Sequence, residues 1–257
     1  MTKRLEGKVC IVTGATSGIG WATAVAMAEC GAKVVAAGRR TDRGEALIEL
    51  IRLQDGDAIF VRTDVGESSE IEALVAKSVE HYGQLDCAFN NAGIVGDVDQ
   101  TIVEQSEESW NNVIRTNLTS VWLSMKHEIP AMLDSGGGSI VNNSSIYGLA
   151  GSLTGLSPYV AAKHGVAGLT KTVAIEYGRK NIRVNAVCPG FVHSEITDKA
   201  INDLGEELVE KVLVAHVPLG RIGDAREIGH GVAWLCSDEA SYVTGTTFTM
   251  DGGWLAK

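Results

Sequence analysis

The stretch Val9-Cys10-Ile11-Val12-Thr13-Gly14-Ala15-Thr16-Ser17-Gly18-Ile19-Gly20 decides the fold. Four consecutive apolar residues read as a buried strand, and the glycines that follow break it into a turn that opens an apolar helical stretch over about 18–31. Glycines at 14, 18 and 20 let a ligand approach the backbone, and the first turn of a helix presents unpaired N–H groups and the positive end of its dipole. A strand, glycine turn and helix in that order form a phosphate-binding unit, although the spacing differs from the commoner GxGxxG pattern.

Outward from this unit the same alternation repeats. Short β-branched runs over 9–14, 33–38, 58–65, 85–93, 138–145, 182–190 and 246–250 predict seven strands. Helical periods over about 18–31, 41–54, 67–82, 107–132, 157–179 and 224–237, with a polar helical region over 195–215, separate them. Strands joined through helices pair in parallel by right-handed crossovers, so the expected fold is α/β: a Rossmann-like, doubly wound, seven-stranded parallel sheet with helices on both faces. No Pro- or Ser-rich linker interrupts the pattern, and Gly136, Gly137 and Gly138 read as a helix-to-strand turn, so residues 1–257 are expected to form a single domain.

The 257 residues are 45% hydrophobic and 21% charged, which predicts a compact globule rather than a disordered chain. A net charge of -10 with no basic stripe argues against a nucleic-acid partner. No apolar run approaches a membrane span, and the expected location is cytoplasmic. Cys10, Cys30, Cys87, Cys188 and Cys236 are odd in number and lack CxxC spacing, which fits reduced, buried thiols. The six histidines form no HxH or HxxxH pair, and no catalytic metal is expected.

Two further patterns bear on chemistry. At the end of the second strand, where an acidic residue would bind adenosine ribose hydroxyls, stand Gly38, Arg39 and Arg40. That charge pattern favours the 2′-phosphate of NADP, with Arg39 making charge-assisted bonds to it; NAD stays open. Tyr159 and Lys163 are spaced i, i+4 on a helix that starts beside Pro158, so phenol and ammonium share one face. Holding a tyrosine near pH 7 takes about 4 kcal/mol of preference for the phenolate. One ammonium at about 4 Å, at an effective dielectric of about 20, supplies roughly that much. Ser144 and Ser145 end the fifth strand, where a hydroxyl reaches the crevice.

Thr13-Gly14-Ala15-Thr16-Ser17-Gly18-Ile19-Gly20, Asp64-Val65, Asn90-Asn91-Ala92-Gly93, Asn117, Ser145, Tyr159-Val160-Ala161-Ala162-Lys163 and Pro189-Gly190 together resemble the short-chain dehydrogenase/reductase family over nearly the whole chain. The resemblance implies an enzyme that interconverts a ketone or aldehyde and an alcohol with NAD(P). Tyr159 would be the general acid/base, Lys163 would lower its pKa and bind the nicotinamide ribose, Ser145 would polarise the carbonyl, and Asn117 would anchor a water in a proton relay. Gly14, Thr16, Ser17, Gly18, Ile19 and Gly20 would cradle the diphosphate, Arg39 and Arg40 the 2′-phosphate, and Asp64 and Val65 would flank the adenine. Asn91, Ala92 and Gly93 would line the cleft, with Pro189, Gly190, Val192 and Ser194 on the nicotinamide side, Val192 and Ser194 holding the carboxamide.

The segment from Ser145 to Tyr159 is one residue longer than in many relatives, which leaves Ser144 as the alternative hydroxyl. Ile146, Tyr147, Leu149 and Leu153 are expected to wall the substrate pocket, and Trp254 to help shape it. Surplus hydrophobic surface on the helices around 107–132 and 157–179 suits subunit packing, and the resemblance implies a homotetramer. Two other readings are an NAD-dependent dehydrogenase of a cyclic alcohol or diol, and a non-catalytic dinucleotide sensor of the same fold.

Overall fold

The computed structural model describes residues 3–98, 100–152, 155–195, 197–198 and 214–256. Strand β1 (Val9–Thr13) leads through the glycine turn to α1 (Gly18–Glu29), followed by β2 (Lys33–Gly38), α2 (Thr41–Leu53), β3 (Asp57–Arg62), α3 (Ser68–Tyr82) and β4 (Cys87–Asn90). The second half contains α4 (Glu107–Ile114), α5 (Ser120–Asp134), β5 (Gly138–Asn143), α6 (Ser157–Tyr177), β6 (Ile182–Pro189), α7 (Ala225–Cys236) and β7 (Thr247–Met250). All seven strands run parallel in the order β3-β2-β1-β4-β5-β6-β7. The expected doubly wound sheet is what the chain forms.

Alternation along β1 shows how the layers arise. Cys10 and Val12 point to a core shared with α1, α2 and α7, while Val9 and Ile11 point to a second core shared with α3, α5 and α6. Both faces are covered, so the strands read as continuous apolar runs rather than as alternating ones. Chain order reverses at β1, which is flanked by β2 on one side and β4 on the other. The crevice for a ligand therefore opens beyond the C-terminal ends of β1 and β4.

Several predicted strands overran at that end. The third stops at Arg62, not residue 65; the fourth at Asn90, not 93; the fifth at Asn143, not 145. Pairing ends where neighbours diverge, with Asn90 opposite Asn142, and the residues beyond are free to carry the site.

The helix expected over 107–132 is divided. Between α4 and α5, Arg115–Thr119 form a π-helical turn, with Ser120 N–H bonded to the Arg115 carbonyl. The extra residue per turn rotates Asn117 inward, where it is fully buried. Its side chain accepts from Ile94 N (2.8 Å) and donates to Ile94 O (2.6 Å), docking the helix on the loop after β4.

A buried polar chain fixes α5 and α6 on the strand ends. Asn90 Nδ2 donates to Glu128 Oε2 and to Asn142 Oδ1, both at 3.1 Å, and Asn142 Nδ2 donates to Thr170 Oγ1 at 3.0 Å. Burial pushes the Glu128 carboxyl up to about 7, partly opposed by the Asn90 bond. All five cysteines are buried free thiols.

Candidate active site

The glycine turn is stitched to the crest of β4. Thr13 Oγ1 accepts from Asn91 N (2.9 Å) and Ala92 N (3.2 Å), and Asn91 Nδ2 donates to Thr13 O at 2.9 Å. Gly14 adopts φ +65°, and a Cβ there would lie 2.9 Å from Ala92 Cα. A Cβ on Gly20 would run into the Gly14 carbonyl, so glycine is required at both positions by close backbone packing.

Ser17, the residue before α1, makes no side-chain capping bond, and the first turn of α1 holds no acid. An uncapped N-terminus with its dipole facing the cleft suits an anionic diphosphate. Ser194 closes over this end: a Cβ on Gly18 would lie 3.2 Å from Ser194 Cβ. These residues fit a dinucleotide.

At the end of β2, a Cβ on Gly38 would sit 2.8 Å from Thr16 Cγ2, which accounts for the glycine sterically. Arg39 and Arg40 diverge. Arg40 folds back, donating from Nη2 to Thr16 O (3.2 Å), and its Nη1 pairs with the Glu195 carboxylate at 3.0 Å. Arg43 approaches the same carboxylate at 3.7 Å. Arg39 is exposed and has no ion pair among the described residues.

Asp64 accepts from Gly66 N at 2.9 Å, a turn just before α3, and Val65 is buried beside it. Gly93 faces Asn117, whose Oδ1 would lie 3.2 Å from a Cβ there.

Pro158 lies in the first turn of α6, where a missing N–H costs nothing, and Tyr159 and Lys163 follow one turn apart. Lys163 is buried; its Nζ donates to Asn143 O at 2.6 Å and lies 5.4 Å from the centroid of the Tyr159 ring. Burial lowers the lysine to about 8 and raises the half-buried Tyr159 phenol to about 12, with the neighbouring Ser145 hydroxyl pulling the other way. The ammonium's short contact is to a backbone carbonyl, and desolvation acts against both charged forms.

The two serines separate cleanly. Ser144 turns inward, its Oγ donating to Lys163 O at 2.9 Å. Ser145 Oγ accepts from Tyr147 N at 3.1 Å, and its hydroxyl is near enough to Tyr159 to favour the phenolate. Geometry therefore brings Ser145, Tyr159 and Lys163 together and takes Ser144 out of the crevice.

Beyond β6, Gly190 N donates to Met250 O at 3.0 Å, and Val192 is buried in a bridge to Gly223. Ser194 Oγ accepts from Thr197 N at 3.2 Å, and His193 pairs with Asp198 at 2.9 Å. Ile146 is buried, Tyr147 half-buried and Leu149 exposed, while Leu153 and most of the helical stretch expected over 195–215 lie outside the described residues. Residues that pattern reading passed over are Asn143 and Glu195. Asn143 acts through its backbone carbonyl, which no side-chain motif marks, and Glu195 lies 155 positions from Arg40.

Among the described residues no cluster of His, Cys, Asp or Glu is arranged to hold a metal ion, and no helix is long and apolar enough to cross a membrane.

A dinucleotide cleft at the switch point with Ser, Tyr and Lys at its edge defines a class of oxidoreductase. Residues 14–255 match the family described as Enoyl-(Acyl carrier protein) reductase. The chain is 41% identical to cyclohexanol dehydrogenase of Acinetobacter sp. (strain SE19), covering 100% of this chain and 98% of that one. It is 40% identical to 3-oxoacyl-[acyl-carrier-protein] reductase FabG of Thermotoga maritima, covering 97% and 98%. A crystal structure of an actinorhodin polyketide ketoreductase variant with NADPH superposes with a TM-score of 0.90 at 36% identity, covering 99% of each chain. The chain belongs to the short-chain dehydrogenase/reductase family, NAD(P)-binding oxidoreductases that act on alcohols and ketones.

Proposed function

We propose that the protein is an NADP-preferring oxidoreductase that interconverts a ketone or aldehyde and the corresponding alcohol, with Tyr159 as general acid/base. The observation that carries this reading is the placing of Tyr159 and the buried Lys163 one turn apart on α6, with the ammonium tied to Asn143 O at the end of β5 beside Ser145. Bound at the glycine turn, a nicotinamide dinucleotide supplies or accepts the hydride. Gly14, Thr16, Ser17, Gly18, Ile19 and Gly20 hold its diphosphate; Asp64 and Val65 flank the adenine; Asn91, Ala92 and Gly93 line the cleft. Pro189, Gly190, Val192 and Ser194 border the nicotinamide.

Ser145 and Tyr159 donate to the substrate oxygen, and the neutral phenol gives up its proton as charge develops there. Lys163 supports the resulting phenolate, held in place by Asn143 O. Asn117, docked on Ile94 through both side-chain groups, would anchor a water in a proton relay. A phenol near 12 is protonated at neutral pH and ready for carbonyl reduction. Alcohol oxidation needs the phenolate and is expected to rise with pH, until loss of the Lys163 proton above about 8 withdraws its support.

Tyr159→Phe is expected to lower turnover by about 10²–10⁴-fold while leaving dinucleotide affinity within a few-fold. Undiminished turnover overturns the assignment. A second reading, NAD-dependent oxidation of a cyclic alcohol or diol, is favoured by one observation: Glu195 already neutralises Arg40. The ratio of kcat/KM with NADPH to that with NADH separates the two. Exposed Trp122 on α5 and Ile175 on α6 offer apolar surface for a homotetramer, checked by light scattering. Cytoplasmic placement belongs to the same proposal and fits five buried free thiols.

A further inference from the structure

Three aromatic rings meet where three adjacent strands end. Tyr147 follows β5, Phe191 follows β6 and Trp254 follows β7. The Trp254 indole stands edge-to-face against Tyr147 (6.2 Å, 77°) and against Phe191 (6.4 Å, 84°). All three rings are half-buried.

The corner is built to hold its shape. Asp251 accepts from Gly253 N and Leu255 N, both at 2.8 Å, fixing the turn that carries Trp254. Gly252 and Gly253 take positive φ and lie against Val217 and Pro218. Tyr147 ties the corner to the reacting groups: its N–H binds Ser145 Oγ, and its phenol is close enough to Tyr159 to raise that group further.

We infer that Tyr147, Phe191 and Trp254 form the specificity surface of the substrate site and select an uncharged alicyclic or planar ring bearing the carbonyl or secondary hydroxyl. The inference rests on the reading of Ser145 and Tyr159 as the groups that receive the substrate oxygen. Perpendicular aromatic pairs present faces that suit the C–H edges of a flat ring. A rigid ring loses almost no torsional freedom on binding, whereas an open chain of equal carbon number loses several rotors.

The test compares cyclohexanol and cyclohexanone with 2-hexanol and 2-hexanone, and with an acetoacetyl thioester, in the full chain with dinucleotide. The expected result is a higher kcat/KM for the cyclic pair. Trp254→Ala should lower the cyclic-to-acyclic ratio by roughly three- to tenfold, through KM, with dinucleotide affinity unchanged. Trp254→Phe, which keeps an aromatic face and guards against misfolding of the alanine variant, should retain most of the ratio. An unchanged ratio in Trp254→Ala, or preference for the thioester, overturns the inference. If no alcohol or ketone turns over, the acid/base reading has failed, and binding decides the corner. Cyclohexanone should then quench indole fluorescence of the dinucleotide-loaded protein and quench it less in Trp254→Phe; equal quenching overturns the proposal.

Discussion

Two strand ends in this protein carry a doublet of identical residues, and each doublet is split in the same way. Beyond β5, Ser144 is spent on the Lys163 carbonyl while Ser145 faces Tyr159. Beyond β2, Arg40 is spent on Thr16 and Glu195 while Arg39 has no ion pair among the described residues. In each pair one residue is engaged within the fold, and its neighbour is the one that the proposed function assigns to the ligand. The difference lies in burial. The serines are nearly sealed from solvent, so their roles are fixed by hydrogen-bond geometry; the arginines are exposed, so theirs depend on screened charge.

The sharpest way to break the comparison is at the buried doublet. Ser145→Ala should cut kcat/KM by about 10²–10³-fold, the loss expected when one donor to a developing oxyanion is removed. Ser144→Ala should leave turnover within a few-fold and lower stability by about 1 kcal/mol, read in denaturant unfolding, because only a hydrogen bond to α6 is lost. If the two results are exchanged, the roles assigned to the serines are reversed.

The exposed doublet predicts smaller effects. Arg39→Ala should weaken NADPH by roughly tenfold while sparing NADH, measured as the ratio of kcat/KM values. Arg40→Ala should affect both dinucleotides together, since that side chain braces the glycine turn at Thr16. An equal penalty from both substitutions removes the distinction. Glu195→Gln is the mildest probe. Freeing Arg40 should raise the preference for NADPH about two- to fivefold, an effect that fades with added salt.

The same contrast explains what was legible in the sequence. The glycine turn, the Tyr159–Lys163 pair and the seven alternating strands are local patterns, and they were read with nearly the right boundaries. The split of the 107–132 helix was not, because a π-helical turn is stabilised by Asn117 reaching Ile94, 23 positions away. The burial that lifts the Tyr159 phenol is likewise invisible in helix spacing, which places only the lysine beside it.

By itself, then, the sequence determined the parallel α/β class, the glycine turn after β1 and the residue types proposed for the site, because periodicity and glycine placement act within a few residues. Only the tertiary structure decided which serine faces the crevice, which arginine stays free, and that Tyr147, Phe191 and Trp254 share one corner. Those outcomes depend on where strand pairing stops and on contacts between segments remote in the chain, where hydrogen bonds and burial are set by the packed fold.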